Sequence, residues 1–65
     1  MQSKKYAKNL RKLRGKVSRQ VVAAAIGVTR SAIAMYEQGE RVPKDEIKVK
    51  LARYYNTTVE AIFYT

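Results

Sequence analysis

The chain contains neither cysteine nor histidine. Without cysteine it can form no disulfide and offers no thiolate to a metal. Without histidine it also lacks the usual zinc partner and the commonest general base. The nucleophile and acid candidates that remain, Ser18, Glu37 and Glu60, show no triad-like grouping along the chain. The expectation is a protein that is not an enzyme, with no cofactor, no metal and no small-molecule ligand. Long apolar runs are missing too. The longest, Val21 to Ile26, is far short of the roughly 20 residues that span a bilayer. The basic N-terminus is not followed by the apolar segment of a secretory signal. A cytoplasmic protein with no membrane partner is expected.

Acids are scarce. Five Asp and Glu face fourteen Lys and Arg, for a net charge of +9 and an isoelectric point near 10.2. Eight of the fourteen basic residues lie within residues 1–19, where there is no acid. Clustered positive charge is the footprint of a polyanion binder. A charge run standing alone describes a solubilising face just as well, so its neighbours decide. Sixty-five residues set the domain as 1–65, a single unit. A chain of that size buries only about 60% of its unfolded surface, so tight packing or dimerisation has to contribute.

Apolar spacing reads as five short helices around one core, an all-α fold. Tyr6, Leu10 and Leu13 form the stripe of a basic amphipathic helix from Lys5 to about Arg14, ended by Gly15. Ser18 is placed to cap a second helix, about Arg19 to Ile26, with Val22, Ala25 and Ile26 on its inner face. Gly27 stops it, because a left-handed residue is needed there and glycine adopts that conformation without steric cost. Thr29 then caps a third helix, about Arg30 to Gln38, whose inner face holds Ile33 and Tyr36. Gly39 and Pro43 break the chain before a fourth helix, about Lys44 to Tyr55, lined by Ile47, Leu51 and Tyr54 or Tyr55. Asn56 suits a left-handed stop, and Thr58 caps a last short helix carrying Val59, Ile62 and Phe63. The second and third helices, joined by a tight turn containing glycine, form a helix-turn-helix.

That unit resembles the DNA-binding helix-turn-helix in detail. With Arg19 as its first position, Val22, Ala23, Ile26, Gly27, Val28, Ile33 and Tyr36 stand where the pattern calls for apolar, small, apolar, glycine and three apolar residues. Tyr36-Glu37-Gln38-Gly39-Glu40-Arg41-Val42-Pro43 is similar to the "aromatic-Glu-x-Gly-x-Arg-x-Pro" loop of the phage-repressor, Cro and Xre regulators. Asn56 to Phe63 resembles the last helix of that family, and the likeness covers roughly residues 5–63. It implies a lambda-repressor-like fold and a sequence-specific double-stranded DNA-binding regulator, a repressor of phage or mobile-element type. Other readings on the same fold are an antitoxin, a restriction-modification controller, or a protein-interaction module without DNA specificity.

In a helix-turn-helix the second helix enters the major groove. With Ala32, Ile33 and Tyr36 inward, the base-contacting candidates are Arg30, Ser31, Ala34 and Met35. Arg30 suits guanine O6 and N7 or, alternatively, a phosphate; Ala34 and Met35 suit thymine methyls, though Met35 also suits plain surface. The resemblance places phosphate contacts at Ser18, Arg19, Thr29, Arg41 and Lys44. Arg19 departs from the glutamine common in the family. Its guanidinium keeps the phosphate role, but that glutamine's second task, bracing the recognition helix, is left without an obvious heir. The resemblance also implies an ion pair between Arg14 and Glu37, tying the first helix to the third. It implies a homodimer built on the last helix, with Val59, Phe63 and Tyr64 as candidates. For Phe63, membership of the core is an equal reading.

Overall fold

Side-chain hydroxyls open three of the helices. In the computed structural model, which describes residues 4–64, Ser18 Oγ accepts from the Val21 amide at 3.2 Å, Thr29 Oγ1 from Ala32 at 3.0 Å and Thr58 Oγ1 from Ala61 at 3.1 Å. Each bond satisfies one of the amides that a helix leaves unpaired at its start. The caps fix α2 (Arg19–Ile26), α3 (Arg30–Glu37) and α5 (Val59–Phe63). The other two helices among the described residues, α1 (Lys5–Arg14) and α4 (Asp45–Tyr54), start at Lys4 and Lys44 without a side-chain cap. In α4, Asp45 and Glu46 stand in the first turn, where negative charge suits the helix dipole.

The breaks have equally local causes. Gly27 has φ 87° and ψ 32°, the left-handed conformation that turns the chain from α2 into α3. Asn56 takes the same region after α4, with φ 58°, which asparagine tolerates better than most residues. Gly39, at φ 74°, is the tightest of the breaks: a Cβ there would lie 2.6 Å from Lys4 Cδ. The stem of Lys4 therefore covers the glycine, and α1 starts directly against the loop that follows α3.

Leu10, Val22, Ala23, Ile26, Ala32, Ile33, Tyr36, Leu51, Ala52 and Ile62 form the core. Helix α3 packs against α1 and α2, α4 against α2 and α5, and α5 closes the assembly against α1. Each fully buried Leu, Ile or Val side chain contributes about 1.5–3 kcal/mol relative to exposure.

Two expected inner faces are corrected, and in α4 one of two alternatives is selected. In α2 the buried line is Val22, Ala23 and Ile26, and Ala25 is exposed. The small residue is needed on the side where α3 comes close, and that side carries Ala23. In α1 Leu13 is exposed while Ala7 and Leu10 are buried. The inner line runs Ala7, Leu10, Arg14, because Arg14 meets a carboxylate at the far end of it. In α4 Tyr55 packs against the core and Tyr54 stays exposed, the two rings meeting edge to face at 5.1 Å. The ends of α3 and α4 also draw in by a residue, with Gln38, Lys44 and Tyr55 as caps.

Candidate nucleic-acid interface

Helix α3 is held by what it buries. Ala32, Ile33, Tyr36 and Glu37 are the buried residues of α3. Arg30 and Ser31 are exposed at its first turn, and Ala34 and Met35 are half-buried further along. A helix with its side chains is about 10–12 Å across, a cross-section that a major groove about 12 Å wide admits.

The other end of α3 carries the only charged side chain among the described residues that is fully buried, Glu37, 1% exposed. Its two carboxylate oxygens take different partners. Arg14 Nε donates to Oε2 at 2.7 Å, and Arg19 Nε donates to Oε1 at 3.0 Å. Arg11 donates to the Glu37 backbone carbonyl, and Arg14 also donates to the Val17 carbonyl at 2.8 Å. Three arginines from α1 and the start of α2 thus converge on the last residue of α3. Burying a carboxylate is costly unless it is paired and hydrogen-bonded. Here no buried polar side-chain atom among the described residues lacks a partner. The space lined by Leu10, Ile33, Tyr36, Glu37, Leu51 and Tyr55 has no room for a water molecule, and the carboxylate's side-chain partners are the two guanidiniums. The hydrogen bond from Arg14 to Glu37 raises the pKa of that guanidinium, and burial raises the phenol of Tyr55 to about 12.

The phosphate candidates fall at three places. Ser18 and Arg19 stand at the N-terminus of α2, Thr29 at that of α3, and Arg41 and Lys44 in the loop and cap between α3 and α4. Ser18, Thr29, Arg41 and Lys44 are exposed, and Arg19 is half-buried by its bond to Glu37. Ser18 and Thr29 use their hydroxyl oxygens as acceptors, which leaves the O–H of each as a donor. The Arg41 loop is held from α1: Tyr6 donates its hydroxyl proton to the Arg41 carbonyl at 3.3 Å.

The dimer candidates lie on α5 and its C-cap, against α1 and α4. Val59 and Phe63 are half-buried against the core, and Phe63 stacks on Tyr6 at 5.7 Å. Tyr64 is 65% exposed, and its hydroxyl accepts from Lys48 Nζ at 3.0 Å. Lys48 Nζ also sits over both the Phe63 and Tyr64 rings, at 5.3 and 5.1 Å. The last of these side chains is therefore available to a partner, while the first two are largely committed.

Sequence reasoning missed Arg11, Tyr6 and Lys48 as organising residues, and it missed the second partner of Glu37. Arg11 was within reach: three residues before Arg14, it shares that side of α1. The Tyr6 and Lys48 contacts join residues far apart in the chain and have no local signal.

A family model described as helix-turn-helix matches residues 8–62. No curated protein matches the chain, and no solved structure does. No helix among the described residues is long and apolar enough to cross a membrane.

Proposed function

The chain belongs to the Cro/C1-type helix-turn-helix family of DNA-binding regulators, and on that premise we propose that it is a repressor of phage or mobile-element type. It binds a pseudo-palindromic operator as a homodimer, with α3 of each copy in the major groove. The observation that carries this reading is the exposure of Arg30 and Ser31 at the first turn of α3, above a face buried by Ala32, Ile33 and Tyr36. A side chain in that position reaches base edges. Arg30 pairs with guanine O6 and N7, Ser31 hydrogen-bonds a neighbouring base edge, and Ala34 and Met35 pack on thymine methyls.

Ser18, Arg19, Thr29, Arg41 and Lys44 take backbone phosphates and fix the register of α3. The net charge of +9 favours association with any duplex, so discrimination has to come from the α3 side chains. One copy contacts few bases. Two copies related by a two-fold axis read half-sites whose centres lie about 34 Å apart, joined through Tyr64 and the exposed edges of Val59 and Phe63.

Selection of binding sites from random duplex DNA at two salt concentrations tests the reading. The expected result is a two-fold-symmetric consensus whose affinity falls steeply with salt. Failure to enrich any consensus, together with a flat salt response, would overturn it.

A further inference from the structure

One basic side of α1 meets the helix-turn-helix only through Arg11, yet the fold sets the whole of that side against the loop that carries Arg41. Lys4, Lys8 and Arg11 recur at spacings of four and three and therefore share one side of the helix. Two contacts fix where that side points. The Lys4 stem lies on Gly39, and the Arg11 guanidinium bonds the carbonyl of Glu37. Lys8, exposed, stands between them. The row thus runs along residues 37–39, immediately before Arg41, whose carbonyl is in turn held by Tyr6 of the same helix.

We propose that Lys4, Lys8 and Arg11 form a second phosphate-binding surface, which takes DNA backbone phosphates outside those reached from α2 and the Arg41 loop. The inference rests on the DNA-binding reading above. Seven residues of helix extend roughly 10 Å, and one DNA strand advances about 3.4 Å per nucleotide. The row therefore faces more than one phosphate. The Lys4 stem is spent on covering Gly39, and a lysine whose stem lies along the protein surface keeps its ammonium in water. Arg11 uses one N–H on the Glu37 carbonyl and has four more to offer. Glu40 is the acid of this stretch of loop, and the row outweighs it three to one. A row that served only to neutralise the C-terminal end of α3 needs Arg11 alone.

The test compares the salt dependence of duplex binding in three proteins: the unaltered chain, Lys4→Gln/Lys8→Gln and Lys12→Gln/Lys50→Gln. The two variants lose the same charge, but Lys12 and Lys50 lie off the row and off the helix-turn-helix. All four lysines are exposed, so circular dichroism should show both variants folded. The selected consensus duplex is the probe. Each lost phosphate contact lowers the slope of log K against log salt by about 0.9. The expected result is a slope smaller by between one and two units in Lys4→Gln/Lys8→Gln and by less than half a unit in the charge-matched control. Equal slopes in the two variants would overturn the inference while leaving the DNA-binding reading in place. Absence of duplex binding by the unaltered chain would instead remove that reading, and this one with it.

Discussion

Arg19, the first residue of α2, donates its Nε hydrogen to Glu37, the last residue of α3, at 3.0 Å. The two helices of the motif are therefore joined by an ion pair as well as by apolar packing. Glu37 in turn holds Arg14 of α1 at 2.7 Å. One carboxylate fixes the mutual placement of three helices, and it sits at the end of the helix proposed to read DNA.

Glu37→Gln should lower stability by about 3–5 kcal/mol, the usual cost of removing one side of a buried pair. The amide matches the size of the carboxylate but cannot accept two charge-assisted bonds through two anionic oxygens. Urea denaturation gives the value. A midpoint equal to that of the unaltered chain would mean that the pairing contributes nothing to the fold.

The two arginines should behave differently. Arg14→Gln removes the shorter and more enclosed partner, whose side chain is 17% exposed against 30% for Arg19. It should cost about 1.5–3 kcal/mol, as charged hydrogen bonds do. Arg19→Gln should cost under about 1 kcal/mol in stability but lower the salt slope of DNA binding by about one unit. Because both share Glu37, the double variant should depart from the sum of the singles. Denaturation and salt titration of the same three proteins separate the two roles.

Gly39→Ala should destabilise by roughly 1–2 kcal/mol through the left-handed backbone alone. The Lys4 stem can swing aside to admit the methyl group, so Gly39→Ala in a Lys4→Ala background should keep most of that loss. Recovery of full stability in the double variant would show that the clash, and not φ, governs the site.

Alkaline unfolding should carry the mark of Tyr55. Its pKa is raised to about 12, chiefly by burial, against about 10 when unfolded. The stability it contributes is complete below pH 10 and lost as pH rises through the folded value. Tyr55→Phe should remove that part of the decline between pH 10 and 12. An ultraviolet titration in which every tyrosine ionises together near pH 10 would contradict the burial.

Much of this was legible in the sequence because its signals are local. Ser18, Thr29 and Thr58 announce helix starts, and Gly27 and Asn56 announce stops, through interactions within a few residues. The faces that misled were those with alternatives at helical spacing. Val22 and Ile26 can be joined by Ala23 or Ala25, and only the approach of α3 selects between them. Leu13 lost its place in the core to Arg14, since a buried carboxylate on a distant helix outranked a methyl-rich side chain. At the candidate site, the bond from Arg19 to Glu37 answers what takes over the bracing task of the glutamine usual at that position. No local rule announces it, because its partner lies eighteen residues on.

The placement of Arg30 at a base edge is tested most directly by repeating the binding-site selection with Arg30→Ala. The account predicts a loss of about 1–3 kcal/mol on the consensus duplex, with relaxed preference at one position of each half-site and the rest unchanged. A consensus that keeps every preference while affinity falls evenly on all duplexes would make Arg30 a phosphate contact and contradict the account.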